Sequence, residues 1–213
     1  KPAHNPQVND WWMCDKGRKS YNDYLEGRME GPISTSDDGK RVAASVDEAV
    51  AHAAAAISDA GGALSTSVVI TPWLTNEDAY LVSKLLTGPL AGAQVYLGGR
   101  DPGEADDILI EADKNPNLRG LKEVMRAAEI NGKPLAEIAS DNHDVILIFG
   151  DNHSLSESTL GMLSGFDKRI VIGQFMGPLW RLATTFLPSR LHWEKDGSFT
   201  NSAGIVQRIR RAT

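Results

Sequence analysis

The run Asp144–Asp151 reads DVILIFGD, and its centre, Val145 to Phe149, is apolar at every position. Successive residues of a strand point to opposite faces, so such a run needs cover on both sides. That points to a sheet between two layers of helices. Three further runs have the same character: TSVVIT (Thr66–Thr71), AQVYLGG (Ala93–Gly99) and RIVIGQF (Arg169–Phe175). Between and before them lie helical stretches. In SVDEAVAHAAAAIS, Ser45 and Glu48 form a capping box ahead of an alanine-rich body. In TNEDAYLVSKLLTG, Thr75 is the predicted cap and Gly88 follows the end. In SLSESTLGMLSG, Ser154 and Glu157 are predicted to form another capping box. The section Asp101–Ala139 holds two or three helical pieces separated by ADKNPNLRG and NGKP. Strands alternating with helices imply right-handed crossovers and a doubly wound α/β layer of about four parallel strands with flanking helices.

The first part of the chain, through LEGRMEGPISTSDDGKR, is polar and turn-rich and reads as extended chain and loop. The expected organisation is therefore an irregular N-terminal segment over 1–44, an α/β domain over 45–176, and a C-terminal segment over 177–213 packing on that domain. At 213 residues with 41% hydrophobic side chains, the chain can bury a sizeable core. The net charge of -6 argues against a nucleic-acid partner, which needs a basic face. The arginines of QRIRRAT read as a solvated basic end. No apolar run approaches the roughly 20 residues of a membrane span, and no signal peptide is read, so direct membrane insertion is not expected. The start at Lys1 rather than Met is expected of a fragment or processed product. A single cysteine, Cys14, forms no internal disulfide, which favours a reducing, cytoplasmic setting.

In a sheet of this kind ligands bind beyond the carboxyl ends of the strands. Those ends are Thr71-Pro72-Trp73, Gly98-Gly99-Arg100, Gly150-Asp151-Asn152-His153 and Gln174-Phe175-Met176. GGRDPG supplies glycines, but Asp-Pro follows where a helix should start, and acids at 104, 106 and 107 would repel a phosphate. Neither GxGxxG nor a Walker lysine loop occurs. The serines show no GxSxG elbow. His143 and His153 bracket one strand and are too far apart to share a metal; with His4, His52 and His192 they read as loop or surface residues. Cys14 remains open to three readings: a core thiol, a nucleophile activated by Lys16 and Arg18, or one ligand of a cluster whose other ligands lie elsewhere. Trp73, Trp180 and Trp193 fall in predicted loops or element ends, where they serve either ordinary packing or a protein-interaction surface.

Three segments, NPQVNDWWMCDKGR, DPGEADDILIEADKNPNLRG and EKDGSFTNSAGIVQR, resemble the large iron–sulfur subunit (the G subunit) of NADH–quinone oxidoreductase, within the molybdopterin oxidoreductase superfamily. The first is similar to the family's NP.VN..W.CD.GR, the stretch that links its iron–sulfur domain to its molybdopterin-like body. The last is similar to EK.GTFTN.EGR.Q. In relatives of formate-dehydrogenase type the matching cysteine is the last ligand of a four-iron cluster, and the lysine two positions on lies between cluster and pterin. The resemblance thus implies a metal-ligand position for Cys14 and a cofactor-side position for Lys16. It also implies a molybdopterin-oxidoreductase-like fold.

This chain departs from the pattern in reading Ala203-Gly204-Ile205 where Glu-Gly-Arg is usual, and it has no CxxCxxxC run. A catalytic pterin subunit is also several times longer. With three cluster ligands missing, Cys14 is expected to be a buried structural thiol with Trp11 and Trp12 packed beside it. By the resemblance, the chain is a non-catalytic scaffold among the other subunits of an NADH dehydrogenase-like (complex I-like) assembly. It carries no cofactor itself, and iron–sulfur clusters and FMN belong to partners or to an upstream region. The assembly implies a peripheral place on the inner face of the cell membrane. The alternatives are a small pterin- or nucleotide-binding oxidoreductase, with Arg100, Asp151 and Lys195 as contacts, and a cofactor-free interaction module.

Overall fold

The computed structural model describes residues 4–19, 26–36, 38–106, 108, 110–138, 143–150 and 155–212. In chain order the elements are α1 Asp15–Lys19, β1 Ile33–Thr35, β2 Arg41–Ala43, α2 Val46–Asp59, β3 Thr66–Ile70, α3 Asn76–Leu86, β4 Gln94–Leu97, α4 Leu118–Ala127 and β5 Lys133–Pro134. They continue with β6 Val145–Phe149, α5 Glu157–Ser164, β7 Lys168–Gly173, α6 Pro178–Leu182, β8 Thr185–Pro188, β9 Gly197–Thr200 and β10 Val206–Ile209.

The apolar runs become β3, β4, β6 and β7, as the doubly wound reading requires. The sheet is larger than expected: among the described residues it has eight strands, in the order β2-β1-β8-β7-β6-β3-β4-β5, rather than about four. Strands β5, β4, β3, β6, β7 and β8 run parallel, while β1 and β2 add an antiparallel edge. The additions lack the signature of a two-face-buried strand. β1 and β2 are three residues each, and β2 is exposed throughout. β5 is the pair Lys133–Pro134, and β8 ends in a proline. Counted by appearance, the parallel strands follow the order 3-2-1-4-5-6, with its switch point between β3 and β6.

Strand alternation sorts the core into two layers. Val68, Ile70, Val145 and Leu147 face α2, α3 and α4 through Ala53, Val82 and Leu121. Val69, Ile146, Ile148 and Val171 face α5 and α6 through Leu163, Phe166 and Leu179. Each such aliphatic, removed from water, contributes about 1.5–3 kcal/mol before the entropy of ordering it.

Capping follows the sequence at α2, where Ser45 and Glu48 exchange the two bonds of a capping box, and at α3, where Thr75 and Asp78 do the same. α5 differs. Its N-cap is Ser156, whose hydroxyl accepts the N–H of Thr159 at 3.1 Å, so Glu157 is the first helical residue rather than the third. Ser154 lies outside the described residues.

The two-stranded sheet of β9 and β10 is stitched to α3 and to the start of α4 by polar side chains. The Asn76 amide donates to the hydroxyls of Ser198 at 3.1 Å and Thr200 at 3.0 Å. Both carboxylate oxygens of Glu77 accept from Ser198. On the other side, Arg28 pairs with Glu194 at 2.5 Å, and Met29 N–H donates to the Gln174 carbonyl at 2.9 Å. The chain leading into β1 is thereby fastened across the end of β7.

Candidate functional site

The segments that follow β3, β6 and β7 meet at the switch point. Thr71 N–H donates to the Phe149 carbonyl at 3.0 Å, which locks the end of β3 to the end of β6. The joint is tight: Gly150 has φ +87, and a Cβ there would lie 2.3 Å from Thr71 Oγ1. Only glycine meets both conditions without strain.

Beside this joint, on the α3 side of the sheet, is a cavity of about 450 Å³ lined by Trp73, Leu81, Phe149, Ile172 and Lys195 among others. A second of about 210 Å³ shares Trp73, Gln174 and Lys195 with it and adds His192 and Phe199. A third, about 580 Å³, is lined by Gly98, Arg100, Leu135, Ser156 and neighbouring residues, beyond the ends of β4 and β5.

Two of the residues singled out in the sequence converge on Trp73. Lys195 lines both cavities that Trp73 lines, and its Nζ is 2.5 Å from Asp78 Oδ2. The Arg100 guanidinium lies 5.1 Å from the centre of the Trp73 ring, a cation–π distance. Its main-chain N–H and C=O are bound by the Asn115 side-chain amide at 2.7 and 3.0 Å. Asp151 lies outside the described residues.

Sequence reasoning misses two residues of this site, Asp78 and His192. Asp78 reads in sequence as a capping residue, yet the same carboxylate that accepts the Thr75 N–H also holds Lys195. His192, read as a loop or surface histidine, is indeed exposed, and it also lines the smaller cavity. Partial burial, and then the charge of Lys195, push its pKa below the ordinary histidine value.

The electrostatics at the start of α3 decide what can bind there. A helix N-terminus at a switch point is the usual seat of a phosphate. Here Glu77 and Asp78 occupy the first turn, Thr75 Oγ1 takes the Asp78 N–H at 3.1 Å, and Lys195 is neutralised by Asp78. A phosphate would face two carboxylates.

The N-terminal residues are arranged differently from expectation. Cys14 is exposed, not buried, and its Sγ accepts the N–H of Gly17 at 3.3 Å at the start of α1. Trp11 and Trp12 do not cover it: they are 53% and 66% exposed, and Trp11 stacks on His4 at 4.2 Å. An apolar sequence run gives burial only where a second layer covers it, and at 11–14 both tryptophans and the thiol keep their solvent exposure. Lys16 lies in α1. Among the described residues no group of three or more His, Cys, Asp or Glu is placed to hold a metal ion.

Fold and site together define a doubly wound α/β domain with an apolar, charge-balanced crevice at its switch point. No protein-family model matches the chain. Over 84 residues it is 37% identical to the G subunit of the NADH-quinone oxidoreductase of Streptomyces coelicolor, a match covering 38% of this chain and 10% of that protein. The chain thus spans about a tenth of that relative's length, and the relationship is distant and partial. Among the described residues no helix is long and apolar enough to cross a membrane.

Proposed function

We propose that this chain is a molybdopterin-oxidoreductase-like domain, akin to the large iron–sulfur subunit, that serves as a scaffold within an NADH dehydrogenase-like electron-transfer complex. The observation that carries this reading is the 84-residue match to a component of NADH-quinone oxidoreductase. One feature of the site supports it: the phosphate seat at α3 is filled by the chain's own carboxylates. In this reading electrons pass from NADH through the FMN and clusters of partner subunits toward quinone. The domain holds those subunits in place on the inner face of the membrane without carrying an electron itself.

The test is anaerobic purification of the tagged chain from its native host. Expected are co-purification of NADH dehydrogenase activity with partner subunits, and no iron, molybdenum or tungsten on the chain once it is separated from them. Near-stoichiometric molybdenum or tungsten on the separated chain would instead support a pterin enzyme using Arg100 and Lys195. A chain purifying alone, without NADH dehydrogenase activity, would overturn the scaffold reading.

A further inference from the structure

We infer that the crevice on the α3 side of the switch point binds a small, uncharged aromatic molecule and discriminates against nucleotide phosphates. Its volume, about 450 Å³, falls within the range of small-ligand sites. The walls are apolar: Trp73, Leu74, Leu81, Val82, Phe149 and Ile172. Leu81 is 66% exposed at the rim, a large aliphatic left in water beside an apolar opening.

Among the described residues, the charges that line the cavity are balanced, two acidic and two basic. Lys195 is held by Asp78 at 2.5 Å, and Asp196 accepts the main-chain N–H of Arg211 at 3.3 Å. Arg190 reaches the Glu194 carbonyl at 3.4 Å. An anion at Lys195 would have to displace Asp78, leaving that carboxylate uncompensated, and a cation at Asp78 would have to displace Lys195. A neutral ring avoids both costs and gains the face of Trp73 and the aliphatic wall. Ser189 is the neutral polar residue of the lining that can orient it, while the Gln174 amide nitrogen donates to the Arg190 carbonyl at 2.8 Å.

The test uses 2-naphthol as the neutral probe and AMP as the phosphate comparator, each titrated calorimetrically into the protein at neutral pH. Expected is saturable single-site binding of 2-naphthol with Kd about 1 mM or tighter, and no AMP binding over the same range. Leu81→Arg places a charge at the rim on an exposed position, so folding is retained, and weakens 2-naphthol at least tenfold. Trp73→Ala removes the stacking face and gives a similar loss. The inference is overturned if 2-naphthol shows no saturable binding, if neither substitution changes its affinity, or if AMP binds as tightly.

Discussion

The side-chain oxygen of Asn117, a fully buried residue, accepts the main-chain N–H of Thr200 at 2.7 Å, across 83 positions of sequence. The same amide donates to the Leu74 carbonyl at 2.9 Å and to Asn76 Oδ1 at 3.0 Å. One side chain therefore ties the β3–α3 turn, the start of α4 and the β9–β10 sheet together. Two of the segments that carry the family resemblance, ending in ADKNPNLRG and containing GSFTN, meet at this contact.

Asn117→Ala is expected to destabilise the fold by about 3 kcal/mol, because it strands a buried carbonyl and a buried N–H where water cannot replace the amide. Urea unfolding monitored by tryptophan fluorescence gives the number. Asn115→Ala, which removes a partly exposed amide from Arg100, should cost about 1 kcal/mol. Equal costs for the two would mean the Asn117 network is not the main tie.

The glycine one turn into α4 makes a second prediction. A Cβ at Gly120 would lie 2.0 Å from Asn76 Oδ1 and 2.3 Å from Asn117 Oδ1, so Gly120→Ala pushes apart the same amides. The expected cost is about 1–3 kcal/mol despite the better helix propensity of alanine. Gly161 in α5 has nothing within 4 Å of an added Cβ, and Gly161→Ala should be neutral or stabilising by up to about 1 kcal/mol. Thermal melts of the pair decide it. A stabilised Gly120→Ala would show that the network gives way at little cost.

Sequence legibility followed burial. Strands β3, β4, β6 and β7 stood out because apolar side chains fill both of their faces. Strand β2 is exposed along its length and β5 is a Lys-Pro pair, so neither carries a pattern that separates strand from loop. Near Trp73, Arg100 follows a strand end and Lys195 falls in a family-like segment, which is what singled them out in the sequence. Asp78 was hidden by its second role as a cap, and the Asn117–Thr200 contact by its sequence separation. Cys14 was expected in the core because cluster ligands are missing, but burial depends on a covering layer that local sequence does not reveal.

Cys14 offers a direct chemical check. An exposed thiol reacts with a disulfide reagent such as dithiobisnitrobenzoate in the native protein, whereas a core thiol waits for unfolding. One equivalent should react without denaturant, and Cys14→Ser should change stability by no more than about 0.5 kcal/mol. Protection of the thiol until denaturant is added would restore the buried arrangement.

His192 gives the pH dependence. Partial burial beside the smaller cavity, and then the charge of Lys195, depress its pKa in the folded state. The unfolded chain titrates near the ordinary value of about 6.5. Above that value both states hold the ring neutral and the residue adds no pH dependence. As pH falls through it, the unfolded state takes up the proton first, so the proton favours unfolding and stability declines on the acid side. The exposed rim of the residue keeps this contribution modest. His192→Gln removes the titration and should flatten the part of the stability profile just below about pH 6.5, leaving the more acidic carboxylate region unchanged. Lys195→Met withdraws the second cause and should move the His192 midpoint upward, though not back to the ordinary value, because burial is the larger cause. Proton NMR titration of the His192 ring reads the midpoint directly. A midpoint at or above the ordinary histidine value would show that water, rather than the cavity and Lys195, sets its protonation.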